Sequence, residues 1–154
     1  MGGEVVVEET EDVSRTVGRV GRLHAGVAAT LLHDLGLYPG QELLLMRLWE
    51  RDHQTQTELT VALGLDPSTV TRTVQCLQRS ALVTRTPSPT DRRAVIVSLT
   101  PEGDALRTRV EEFWRQLEAA TTGEMSDRQR DSALRLLRRV EANLTSSPRA
   151  ETTR

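Results

Sequence analysis

Between Pro67 and Thr90 the chain carries hydroxyls, amides and guanidinium groups, and not one Asp or Glu. On a period of 3.6 residues, Ser68, Arg72, Gln75 and Arg79 share one face of a helix, with Thr71 and Cys76 on its flanks. Short hydroxyl donors, an amide and forked cations are the groups that reach base edges and phosphates in a DNA major groove. Arg92 and Arg93, side by side after a run of turn formers, extend the same chemistry further along the chain. A polyanion can approach such a surface without meeting a carboxylate. The bland alternative is a small packing unit whose polar face and arginines are only solvated.

The elements that must position these groups are legible around them. Asp66 can cap a helix with its carboxylate, and Pro67 fits the first helical position. Val70, Val74 and Leu77 then recur at spacings of four and three, so they form the buried face opposite the polar one. Before this helix, Gln41 to Arg51 and Thr55 or Gln56 to Leu63 read as two short helices separated by a turn over Asp52 to Gln54. Gly64 ends the second, Leu65 is expected to pack underneath, and Asp66 opens the polar-faced helix. Two short helices joined by three or four residues including Gly have helix-turn-helix spacing, a weak signal taken alone. After Leu82 the pattern changes to alternation. Residues 82–86 and 94–99 are β-branched-rich runs separated by Pro87, Ser88, Pro89, Thr90 and Asp91, a β-hairpin with a long tip that ends in the two arginines. A polar-faced helix followed directly by a basic-tipped hairpin makes the signal specific for a winged helix-turn-helix.

Longer amphipathic helices bracket this module. From Asp12 to Leu35, Val13, Val17, Val20, His24, Val27 and Leu31 recur in a narrow, heptad-like stripe suited to contact with another helix. Past the hairpin, Thr100-Pro101 starts a helix marked by Leu106, Val110, Phe113 and Leu117 to about Thr121. A last helix runs from Ser126 or Asp127 to about Leu144, with Ala133, Leu137, Val140 and Leu144 on one side. These stripes have little core of their own to cover in so small a domain, so a second copy of the chain is the economical partner. His24, inside the first stripe, reads as a hydrogen-bonded interface histidine before it reads as a ligand.

Composition bounds the remaining classes. A chain of 154 residues with 37% hydrophobic and 3% aromatic content supports one domain, or one domain with an oligomerising extension. The net charge of −2 conceals an uneven distribution: residues 1–12 hold five carboxylates and no base, while residues 67–98 hold five arginines against Asp91. All 20 basic residues are Arg, a coding bias that weakens any argument from the choice of Arg at one site. One Cys excludes an internal disulfide and points to a reducing compartment. With no secretory segment and no apolar run near membrane length, the expectation is a cytoplasmic protein with no membrane partner. His24, His33 and His53 fall on different elements, with no nucleophile-base pairing and no phosphate loop, so neither a catalytic nor a metal site is expected and no cofactor is implied.

These residues together resemble the MarR (multiple antibiotic resistance regulator) family of bacterial transcription factors. The likeness runs from about Asp12 to Leu144 and is carried by the wing motif Asp91-Arg92-Arg93, by Leu99-Thr100-Pro101-Glu102-Gly103, and by the frame Leu59, Leu63-Gly64-Leu65, Val70-Thr71. The resemblance implies a homodimer gripping a pseudo-palindrome of double-stranded DNA, commonly a repressor released by a small molecule. It assigns recognition-helix contacts to Ser68, Thr69, Thr71, Arg72 and Gln75, with Arg79 further along the same face. It assigns minor-groove contact to Arg92, with Arg93 beside it or paired to Asp91, and phosphate contact to Thr55 and Thr57. Effector pockets of the family lie between the terminal helices and the winged module, which here points to His24, Trp49 and Trp114. The expected division is a disordered acidic tail over 1–11, a dimerisation helix over 12–38, the DNA-binding domain over 39–100, C-terminal dimerisation helices over 101–145 and a disordered tail over 146–154. Redox-responsive relatives place their cysteine near the N-terminal helices, whereas Cys76 lies in the recognition helix. A metal- or redox-responsive repressor and a winged-helix protein-interaction module stand as alternatives.

Overall fold

The computed structural model describes residues 12–147. The acidic segment 1–11 and residues 148–154 of the C-terminal tail, both expected above to be disordered, lie outside the described residues. Ser146 and Ser147, the first residues of that tail, are described and close the last helix, the Ser146 amide donating to Ala142 O.

The chain is mainly helical with a small antiparallel sheet, as the sequence implies. Asp12 accepts from the Arg15 amide at 2.7 Å and opens α1 (Val13–His33). Then come α2 (Gln41–Glu50), β1 (Gln54–Thr55), α3 (Gln56–Leu63) and α4 (Pro67–Arg79). The hairpin is β2 (Val83–Pro87) and β3 (Val95–Leu99), and it is followed by α5 (Pro101–Ala105), α6 (Arg107–Thr122) and α7 (Asp127–Thr145). Sheet order is β1-β3-β2, with Arg85 opposite Val97 and Gln54 opposite Val97 on the other side. β1 corrects the turn expected over Asp52 to Gln54. Two residues are too few to show alternation, and only the tertiary partner β3 makes them a strand.

Each element turns its apolar residues toward one core. Leu44, Leu45 and Leu48 of α2, Leu59 of α3, and Val70, Val74 and Leu77 of α4 are fully buried against Val83 and Val97 of the hairpin. Gly64, with φ +62°, makes the left-handed turn that lets α4 leave α3 at an angle.

The expected continuous helix after Thr100 divides at Leu106 into α5 and α6. Thr100 caps α5 through the Gly103 amide at 3.0 Å, while its own amide donates to Leu82 O at 3.1 Å. A Cβ built on Gly103 would meet Leu82 O at 2.0 Å, so only glycine fits there. The short helix is thus pinned to the base of the hairpin before the longer one departs.

A second correction concerns partner contact. Leu106, Val110, Phe113 and Leu117, read above as a stripe awaiting another chain, are buried in this chain's own core against α1 and α2. Apolar side chains left uncovered include Val13, Val20, Leu23 and Val27 on α1 and Leu134, Leu136, Leu137 and Leu144 on α7, besides scattered ones such as Tyr38 and Val61; no residue of α7 is buried.

Candidate nucleic-acid interface

The outward face of α4 stands as its period predicts. Ser68, Arg72, Gln75 and Arg79 are exposed, Thr71 and Cys76 are half-buried, and Val70, Val74 and Leu77 hold the helix to the core. At its N-terminus the Asp66 carboxylate accepts from the Thr69 amide at 2.9 Å, from the Ser68 hydroxyl at 2.5 Å and from the Thr69 hydroxyl. The Ser68 and Thr69 hydroxyls and the Thr69 amide hold Asp66 ionised far below the usual carboxylate range. Ser68 and Thr69 therefore stand at the expected place with their hydroxyl protons committed to the cap. They can meet DNA as acceptors, or as donors only after rotating away from Asp66.

Thr71 is committed as well. Its hydroxyl donates to Pro67 O at 2.8 Å and accepts from Gln56 Nε2 at 3.1 Å. Arg72 makes two long contacts within its own helix, to Ser68 O and Ser68 Oγ, each at 3.4 Å, and has no acidic partner among the described residues. Gln75 and Arg79 have no side-chain hydrogen bond among the described residues. The free readers of this face are consequently Arg72, Gln75 and Arg79.

The N-terminus of α3 holds a carboxylate of its own. The Thr55 amide donates to Glu58 Oε2 at 2.7 Å, and Thr55 Oγ1 both donates to that oxygen and accepts from the Glu58 amide, a closed capping box. Arg51 adds an ion pair to Glu58 at 2.8 Å. The Thr55 amide, the Arg51 guanidinium and the Thr55 hydroxyl pull the Glu58 carboxyl down to about 2. Thr57, two residues after Thr55, is exposed beside a surface cavity of about 570 Å³ that Arg47, Arg51 and Glu58 also line.

The hairpin tip is an ordered turn. Ser88 N donates to Ala94 O at 2.9 Å, and Ser88 Oγ accepts from the amides of Thr90 and Asp91, each at 3.3 Å. The Asp91 carboxylate accepts from the backbone amide of Arg93 at 2.9 Å. It thereby closes the turn and leaves both guanidiniums, Arg92 and Arg93, exposed and without an acidic partner among the described residues.

Sequence reasoning missed Gln56 and Arg85. Arg85 Nη2 donates to Gln56 Oε1 at 3.3 Å, so the Gln56 amide joins β2 to α4 through Thr71. A polar residue at the first position of a helix gives no sign of a partner 29 positions away.

The three effector candidates separate. Trp49 and Trp114 line one cleft of about 160 Å³ with Met46 and Val110, and His24 stands in another of about 180 Å³ with Val20, Val27 and Leu117. Both indole N–H groups are used, Trp49 donating to Gly103 O at 3.3 Å and Trp114 to Met46 Sδ at 3.0 Å. Among the described residues no three His, Cys, Asp or Glu side chains gather as metal ligands, and no helix is long and apolar enough to cross a membrane.

Residues 37–95 match the family model described as the MarR family. The chain is similar to the HTH-type transcriptional repressor NicR of Pseudomonas putida, at 30% identity over 131 residues, 85% of this chain and 83% of NicR. It is also similar to a putative transcriptional regulatory protein for the hcr operon of Thauera aromatica, at 28% identity covering 79% of this chain and 73% of that one. Among solved structures, Bordetella bronchiseptica BpsR, whose DNA binding is regulated by 6-hydroxynicotinic acid, superposes with a TM-score of 0.75 at 26% identity, covering 86% of this chain and 95% of BpsR.

Proposed function

The chain belongs to the MarR family of DNA-binding transcriptional regulators, and from that premise we propose that it is a homodimeric repressor acting on a pseudo-palindromic operator. The single observation that carries the reading is the exposed, acid-free set Arg72, Gln75, Arg79, Arg92 and Arg93, presented on one helix face and one hairpin tip. Arg72 and Gln75 lie in the first turns of α4, where a groove-inserted helix meets base edges, and Arg79 lies beyond them toward phosphate. Arg92 and Arg93 extend from the tip toward the neighbouring minor groove, whose narrow A·T-rich form concentrates negative potential. Thr57 and the cap hydroxyls Thr55, Ser68 and Thr69 supply orientation at the two helix starts.

Dimerisation is supported by the uncovered apolar residues of α1 and α7, which include Val20 at 51% and Leu137 at 56% exposure. Repression is supported by the similarity to the repressor NicR, and control by a small aromatic acid by the similarity to BpsR, whose DNA binding 6-hydroxynicotinic acid regulates. A cleft of about 430 Å³ between the end of α1 and α6 is one place for such an acid: Leu31, Leu35 and Phe113 line it with Arg109, which donates to Asp34 O, although Asp34 and Glu112 also stand in its wall. The experiment is selection of bound duplexes from a random pool. An enriched inverted repeat with half-site centres about 10 bp apart supports the reading, and a pool that stays random refutes it.

A further inference from the structure

We propose that Gln56 is the positioning residue that fixes the wing relative to the recognition helix, and so sets which spacing of central bases and A·T flanks the protein accepts. The inference rests on the DNA-binding reading above and adds a residue to it. Four groups form a directed chain: Arg85 Nη2 donates to Gln56 Oε1 at 3.3 Å, Gln56 Nε2 donates to Thr71 Oγ1 at 3.1 Å, and Thr71 Oγ1 donates to Pro67 O at 2.8 Å. The orientation of the Gln56 amide follows from chemistry, because a guanidinium can only donate and the oxygen must therefore face Arg85. Among the described residues this is the only side-chain hydrogen-bonded path from the wing strands to α4.

Its place in the sheet gives it leverage. β2 is an edge strand, hydrogen-bonded to β3 on one side only, while β3 is hydrogen-bonded on its other side to the two residues of β1. The tie at Arg85 thus holds the free edge of the hairpin to the first turns of α3 and α4. The Arg85 Nε is buried without a partner among the described residues, so losing Gln56 leaves that guanidinium with no side-chain acceptor and frees it to move toward solvent. A small change of hairpin angle at its base moves Arg92 and Arg93 at its tip most.

The test uses the full chain and duplexes built on the selected site, with the distance between central motif and A·T flank varied by one or two base pairs. The parent is expected to prefer its best spacing by about tenfold, and Gln56→Ala to reduce that preference to about twofold while weakening binding at the best spacing five- to tenfold. The dependence of affinity on salt should not change, since Gln56 neutralises no phosphate. Thr71→Val, which keeps the shape and removes the hydroxyl, should reproduce the loss; Thr71→Ser should restore parental spacing preference; and the double variant should be no worse than either single one. Circular dichroism controls for folding, and Thr71→Val carries the test where Gln56→Ala does not fold. A folded variant that keeps the parent's spacing preference overturns the inference, as does one that weakens every spacing equally or lowers the salt slope. A parent that selects no site overturns the DNA-binding reading, and this inference with it.

Discussion

Arg72 and Arg92 carry the same guanidinium on different elements, and their surroundings predict different losses. Arg72 leans only on its own helix through contacts of 3.4 Å, so it can redirect its fork to a base edge without breaking an ion pair. Arg72→Ala should cost about 1–3 kcal/mol on the selected operator and relax preference at particular positions, with a smaller effect on random DNA; equal losses on both would make it a phosphate contact. Arg92→Ala should instead lower the salt slope by about one contact per wing and reduce the preference for A·T flanks, with the central bases read as before. Glu58 supplies a pH-dependent prediction. Its folded pKa, about 2, lies below the ordinary carboxylate value of 4.5, so its contribution is present above about pH 4.5 and is lost as pH falls toward 2. The group is solvent-exposed, so Glu58→Gln should lower stability at neutral pH by only about 0.5 kcal/mol. That gap, followed by thermal unfolding, should close across the acidic window; a gap that persists at pH 2 would mean that packing and not charge is responsible.

At the scale of elements, local sequence signals were sufficient wherever a helix carries its own start signal and period. Asp66-Pro67 with Val70, Val74 and Leu77 placed α4 and both its faces, and Thr100-Pro101 placed the start of α5. The features that escaped are those set by contacts across the fold. β1 exists because Gln54 and Thr55 pair with Val97 and Ile96, and the Gln56 bridge exists because folding brings Arg85 to α3. Likewise, the stripe on α6 does not tell whether its partner is α1 of the same chain or a helix of another. The hydroxyls of Ser68, Thr69 and Thr71 were placed correctly on α4, but not their commitments to Asp66, Pro67 and Gln56. The Thr100-to-Gly103 turn makes the sharpest prediction here. Because a Cβ at residue 103 meets the Leu82 carbonyl at 2.0 Å, Gly103→Ala should destabilise the chain by about 1–3 kcal/mol, a fall of roughly 3–10 °C in thermal midpoint. An unchanged midpoint would show that α5 can shift without penalty.

For the whole molecule, the uncovered faces of α1 and α7 and the exposed readers of α4 and the wing belong to one proposal, since a twofold pair of reading heads requires the first to build the second. Light scattering should give twice the 17.2 kDa of the chain, and Leu137→Asp, which places a charge on the apolar side of α7, should yield monomer; a folded parental monomer at micromolar concentration would contradict the arrangement. The most direct measurement of the central claim is the ratio of affinities for the selected inverted repeat and for a scrambled duplex of the same length and composition, titrated at about 0.15 M salt. Sequence reading by Arg72 and Gln75 in two half-sites predicts a ratio of about 10³ or more, with two chains bound per duplex. A ratio near one would mean that the basic face holds DNA only through its phosphates, and that the protein does not read an operator.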